Sequence, residues 1–139
     1  MKTVCVIDDD AAFQKMMNHH LTNMGFMVRS VFSGREMDHI QERPFAVLLD
    51  HFLEDDEEDG LGILQRLRRR HPGVPVIYMT SHADSKVKDA ARQSGVFDFI
   101  EKNPASLVRL RSALDAIAIH QEKSSWLDRL FGKREPNRF

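Results

Sequence analysis

The chain has 139 residues, with 20 Lys plus Arg against 21 Asp plus Glu and a formal net charge of −1. That length suits one domain able to bury roughly two-thirds of its unfolded surface, so neither a disulfide nor a structural metal is required. The near-neutral balance names no nucleic-acid partner, the single Cys5 excludes an intramolecular disulfide, and no stretch approaches the roughly 20 apolar residues of a membrane span.

Cys5 lies inside the apolar run Val4-Cys5-Val6-Ile7 and reads as a small buried hydrophobe. A free thiol suits a reducing compartment, and the N-terminus lacks the apolar segment of a signal peptide. Both point to the cytoplasm.

Thr3–Ile7 predicts a buried strand. Ala11–Met24 predicts a helix with Phe13, Met16, Met17, His20, Leu21 and Met24 on one face, stopped by Gly25. Phe26–Phe32 predicts a more polar strand, and Arg35–Glu42 a short helix closed by Pro44. Phe45–Leu49 is a wholly apolar strand, followed by a helix over Leu61–His71 and the turn Pro72-Gly73-Val74-Pro75. Val76–Thr80 predicts the fourth strand, Ala83–Gln93 a helix ending at Ser94-Gly95, and Val96–Ile100 the fifth strand. Asn103-Pro104 opens a last long helix, with Asn as N-cap and proline at the first helical position. Its end is expected near His120-Gln121, which divides the chain into a domain over 1–121 and a short amphipathic tail over 122–139.

Strands alternating with helices, and strands apolar throughout, imply an α/β fold: a doubly wound five-stranded parallel sheet with helices on both faces. Ligands of such sheets bind at the carboxyl ends of the strands. Those ends carry Asp8-Asp9-Asp10, Asp50, Thr80-Ser81 and, just beyond Ile100, Lys102.

Three successive carboxylates repel one another unless solvent or a cation relieves them. Hard oxygen ligands suit Mg²⁺; the plainer alternative is a solvated turn with an aspartate capping the following helix. Asp50 closes an apolar run, so its charge is costly there without a cation nearby. A carboxylate so placed can attack phosphorus to form an acyl phosphate. The Thr80 hydroxyl can donate to a phosphoryl oxygen, and Lys102 supplies a movable charge for phosphate. Each residue alone has a structural explanation; the conjunction at one sheet edge is far more specific.

Val6-Ile7-Asp8-Asp9-Asp10, Val47-Leu48-Leu49-Asp50, Ile77-Tyr78-Met79-Thr80-Ser81 and Gly95-Val96-Phe97-Asp98-Phe99-Ile100-Glu101-Lys102 together resemble the receiver domain of two-component response regulators, over residues 3–120. The resemblance implies a flavodoxin-like, CheY-like single-domain fold and a set of roles. Asp9 would ligate Mg²⁺ directly, Asp8 would hold a metal-bound water, and Asp50 and the Phe52 carbonyl would complete the protein's ligands. Asp50 would take a phosphoryl group from a histidine kinase or phosphotransfer protein, with Lys102 and the metal neutralising the phosphoryl oxygens. Thr80 and Phe99 would form the switch, Phe99 turning inward to reshape a surface read by a downstream protein. A static core aromatic is the alternative for Phe99.

Three departures from the family's pattern stand out. The family generally has a proline four residues after the phosphoacceptor and a glycine about eight after it. Here Glu54 and Gly60 follow, with six consecutive acids from Glu54 to Asp59. That loop is either a solvated acidic segment or one that selects partners, binds a second cation or hinders small anionic phosphodonors. Asn103 replaces the proline of the family's cis Lys-Pro pair, which predicts a trans bond or a rebuilt loop. Phe52 and His82 flank the expected water path; Phe52 offers no hydrogen bond to water and should shield an acyl phosphate. His51 is a weaker candidate as nucleophile or metal ligand.

Beyond Gln121, Ser124-Ser125 could cap a short helix presenting Trp126, Leu127, Leu130 and Phe131 beside a basic edge of Arg129, Lys133, Arg134 and Arg138. The stripe could pack on its own domain or on a second protomer, giving a homodimer, or dock a partner; no DNA-binding domain is expected to follow it, and nucleic-acid reading and membrane contact fit it poorly. The leading function is a phosphoacceptor switch, not an enzyme with substrate turnover. The alternatives are a pseudo-receiver scaffold that needs no phosphate and, less favoured, a Mg²⁺-dependent phosphatase, which would want an acid where Phe52 stands.

Overall fold

The computed structural model describes residues 1–53, 58–81 and 84–132. Its elements are β1 Thr3–Ile7, α1 Ala11–Asn23, β2 Met27–Val31, α2 Gly34–Met37, β3 Ala46–Asp50, α3 Gly60–Arg70, β4 Val76–Thr80, α4 Ser85–Gln93, β5 Asp98–Glu101 and α5 Ser106–Phe131. All five strands are parallel, in the order β2-β1-β3-β4-β5. The doubly wound α/β architecture expected from the alternation is therefore present.

Side chains alternate between the two faces of each strand. Ile7, Leu49 and Tyr78 join Leu64, Leu67 and Ala91 beneath α3 and α4. Val6, Leu48 and Met79 join Met17, Leu21, Leu114 and Ile117 beneath α1 and α5. The middle strands β1, β3 and β4 are buried on both faces, whereas outer β2 alternates with solvent, which is why its sequence is more polar.

Caps set most helix starts. Asp10 accepts from the Ala12 and Phe13 N–H groups, Ser33 from Glu36, Asp59 from Gly62 and Asp84 from Lys86. Glu36 also reaches back to the Phe32 N–H, a near relative of the capping box. After α1 the chain turns through Gly25 at φ +94°, a backbone region that favours glycine.

Beyond shifts of one or two residues at several strand and helix ends, four differences from the sequence expectation matter. α2 is a single turn rather than Arg35–Glu42; beyond it His39 and Ile40 bond to carbonyls three residues back, which keeps both Met37 and Ile40 buried. β5 begins at Asp98, although the Phe97 N–H still reaches the Val76 carbonyl. Asn103 does not cap α5: it accepts from the Ala105 N–H, and the helix starts at Ser106. Most consequentially, α5 does not stop near His120-Gln121 but runs unbroken to Phe131, absorbing the short helix expected after Ser124-Ser125.

The α1 face also differs. Met16 is exposed, and Gln14 is buried in the stripe with Met17 and Leu21. Gln14 Nε2 lies 2.9 Å from each of the Val6, Asp8 and Val31 carbonyl oxygens, tying α1 to the ends of β1 and β2. Replacing Gln14 with Ala strips these buried acceptors of a donor. The expected loss is about 1–3 kcal/mol of unfolding free energy, measured by urea denaturation; an unchanged midpoint would show that water substitutes fully.

Candidate functional site: a carboxylate cluster at the sheet edge

β1 ends in Ile7 and β3 in Asp50, neighbours in parallel register, so Asp8 and Asp50 emerge side by side. Asp8 is buried, Asp9 half-buried and Asp50 buried. One carboxylate oxygen from each of the three lies within 4.8 Å of the others. Lys102 comes from the far side: its Nζ is 2.6 Å from Asp8 Oδ2 and 3.6 Å from Asp50 Oδ1. The same ammonium sits 3.8 Å from the centroid of the Phe13 ring, whose negative face suits it.

Lys102 reaches this place without a cis Lys-Pro pair. No cis peptide bond occurs among the described residues. The Lys102 N–H instead donates to the Thr80 carbonyl at 2.8 Å, so pairing of β5 with β4 positions the lysine. Thr80 itself is fully buried at the end of β4.

Burial pushes the Asp50 carboxyl up to about 6; Lys102 opposes that rise, Asp8 adds to it, and the His51 and Phe52 N–H groups favour the charged form. Asp50 Oδ1 is buried with no hydrogen bond. An all-oxygen donor set with such an orphaned oxygen fits a hard cation such as Mg²⁺ or Ca²⁺.

His51 points away from this cluster. It is buried and shares a 2.6 Å hydrogen bond between Nδ1 and the Tyr78 hydroxyl. Tyr78 in turn stacks on Phe99, with ring centroids 5.7 Å apart. Phe99 is buried, and Lys88 Nζ lies 5.9 Å from its ring centroid. The Phe52 ring is 47 % exposed and meets His51 edge-on. His82 and Glu54 to Glu57 lie outside the described residues. Of the remaining loop acids, Glu58 pairs with Arg66, which also holds Asp38, and Asp59 caps α3.

Sequence reasoning placed Asp8, Asp9, Asp50, Thr80 and Lys102 at this edge, and the fold brings them there. It missed Gln14, whose spacing of three and seven from Met17 and Leu21 put it on the buried face. It also missed Tyr78 as the partner of His51, and the closeness of Gly60. A Cβ on Gly60 would lie 2.5 Å from both the Asp50 carbonyl oxygen and the Tyr78 hydroxyl, and 2.8 Å from His51 Cα. Gly60→Ala should therefore cost about 1–3 kcal/mol, because two of the three atoms are backbone. Chemical denaturation tests this, and unchanged stability would mean that the chain before α3 shifts freely.

The chain belongs to the response regulator receiver domain family, which it matches over residues 4–115. It is 28% identical over 137 residues to a putative NtrX-like response regulator of Rickettsia typhi, covering 95% of this chain and 29% of that protein. It is 32% identical over 120 residues to the DNA-binding transcriptional regulator NtrC of Klebsiella pneumoniae, covering 85% and 25%. The crystal structure of NtrX from Brucella abortus superposes with a TM-score of 0.79 at 26% identity, covering 91% of this chain and 30% of that one. The chain thus spans less than a third of these relatives, and what the similarity establishes is a signalling receiver domain of two-component systems. None of its described helices is long and apolar enough to cross a membrane.

Proposed function

We propose that Asp50 accepts a phosphoryl group from the phosphohistidine of a histidine kinase or phosphotransfer protein, and that the chain signals through protein contacts in the cytoplasm. The observation that carries this reading is the Asp50 carboxylate itself: buried, with Oδ1 lacking a hydrogen bond, and faced by Lys102 and two further carboxylates.

In this reading an Asp50 oxygen attacks phosphorus in line, the P–N bond to the donor imidazole breaks, and its electron pair returns to the ring nitrogen. Lys102 Nζ is close enough to shift from the carboxylates to a phosphoryl oxygen. The buried Thr80 side chain stands at the adjacent strand end to receive another. Bound Mg²⁺, held by Asp8, Asp9, Asp50 and the Phe52 carbonyl, would neutralise phosphoryl charge. Asp8 has both oxygens engaged within the protein, Oδ1 by the Asp10 N–H and Oδ2 by Lys102, which favours a water-mediated role for it.

A phosphorylation-independent scaffold is the second reading. What favours it is Phe99, already buried and stacked on Tyr78, so that the inward position needs no phosphate.

Intact-mass analysis after incubation with phosphorylated histidine kinases separates the two. Phosphoryl uptake is expected for the wild type and absent in Asp50→Asn or with EDTA. Uptake that survives either change defeats the proposal, and no uptake from any donor supports the scaffold. Calorimetric titration should further show Asp9→Ala weakening Mg²⁺ binding more than Asp8→Ala; equal losses would refute the division of roles.

A further inference from the structure

The shortness of α2 leaves a gap beside the outer strand. Cys5 pairs with Arg29 and Thr3 with Met27, so these four side chains stand on the same sheet face as Ile7 and Val31. At the carboxyl ends of β1 and β2 that face is filled: Ile7 and Val31 share a buried cluster with Met37 and Ile40. α2 ends after one turn, however, and residues 41–45 return to β3 without helical structure. A cavity of about 510 Å³ therefore opens at the amino ends of the two strands. Cys5, Met27 and Arg29 line it from the sheet, and Ile40, Glu42 and Arg43 from the returning chain.

Small-ligand sites run from about 300 to 1,000 Å³ and combine an apolar lining with a few polar groups. This cavity has both features. Its floor includes the buried Cys5 and Ile40. Burial pushes the Cys5 thiol up to about 12 against the opposing influence of Arg29, so the thiol stays protonated and acts as floor rather than nucleophile. The rim is charged and exposed, with Arg29, Glu42 and Arg43. Among the described residues Arg29 forms no ion pair and no side-chain hydrogen bond. Arg43 Nη1 donates to the Pro72 carbonyl at 2.8 Å, which holds its guanidinium in place while other N–H groups stay available. Two guanidiniums against one carboxylate leave one positive charge at the rim, with His39 counted as neutral.

We propose that this cavity binds a small amphipathic monocarboxylate, with its hydrocarbon part on Cys5, Met27 and Ile40 and its carboxylate between Arg29 and Arg43. The planar guanidinium fork matches a carboxylate in two parallel hydrogen bonds. A single negative charge balances the rim, whereas a dianion would overshoot it and meet repulsion from Glu42. Met27, 55% exposed on the outer strand, is an unbranched and adaptable apolar wall for a hydrocarbon chain. The cavity lies at the amino ends of strands whose carboxyl ends lead to Asp8 and Asp50. It therefore leaves the phosphoacceptor open, and the proposal stands whether or not Asp50 is modified.

Octanoate, kept below its micelle-forming concentration and titrated into the full chain under amide NMR, tests the proposal. Saturable shifts are expected at Thr3, Cys5, Met27, Arg29 and residues 39–43, with none at Asp9 or Trp126. Each methylene removed between octanoate and butyrate should weaken binding about fourfold, and 1-octanol should bind more weakly than octanoate. Arg29→Leu and Arg43→Leu should each weaken octanoate binding about tenfold. Glu42→Gln should tighten it, a gain that misfolding does not produce. The proposal is overturned by the absence of saturable shifts, by shifts centred on Trp126 and its exposed apolar neighbours, or by equal binding of octanoate and 1-octanol. It is equally overturned if Arg29→Leu and Glu42→Gln leave the affinity unmoved.

Discussion

Two strand ends deliver three carboxylates to within 4.8 Å of one another, and the ammonium of Lys102 stands against them. This clustering of like charge is the constraint on which the rest of the site depends. Parallel β1 and β3 in register bring Asp8 and Asp50 together, and burial then disfavours the charged form of Asp50. Nothing in the sheet alone would hold such a cluster. It is balanced by the side chain of the residue just after β5, two strands from β3, whose position is set by one backbone bond to the Thr80 carbonyl. The site is thus an electrostatic consequence of strand order: moving β5 away from β4 would leave the carboxylates without Lys102.

On the other face of the same strand ends is an aromatic counterpart. His51, Tyr78 and Phe99 form a line from the residue after Asp50 across β4 to β5. Because side chains alternate along a strand, Asp50 and His51 diverge, one towards the carboxylates and the other into the core beneath α3 and α4. The hydrogen bond between His51 and Tyr78 satisfies two polar groups that would be costly to bury singly. The turn after β3 is therefore held from both sides, by charge above and by stacked rings below.

The sheet and the carboxylate site were legible because they depend on local patterns: apolar strands, and acidic or hydroxyl residues where those strands stop. Gln14 was illegible as a core residue because a lone amide on an apolar helix face looks like surface until the three carbonyls it serves are placed in space. The Tyr78–His51 pair needs the cross-strand register of β3 and β4, which no local window contains. The length of α5 was readable in principle. No glycine or proline occurs between Ser106 and Gly132, and the serines at 124 and 125 suggested a cap where the helix simply continues. Asn103 misled in the same manner, since an asparagine that starts a turn and one that caps a helix use the same side-chain oxygen.

Gly60 marks where the chain returns to the site after the acidic loop. Its N–H bonds to the His51 carbonyl at 2.9 Å, and its α-carbon fits where no side chain could. On the outgoing side Leu53 is buried in the core, and on the returning side Glu58 is paired with Arg66. These contacts fix where the chain leaves β3 and where it enters α3. Closure entropy rises by only about 0.6 kcal/mol when a connection doubles in length, so residues added between such anchors would cost the placement of β3 against α3 little. A peptide inserted between those two points would therefore tax the fold mainly through its own ordering, with β3 and α3 still joined by the contacts of Leu53, Glu58 and Gly60.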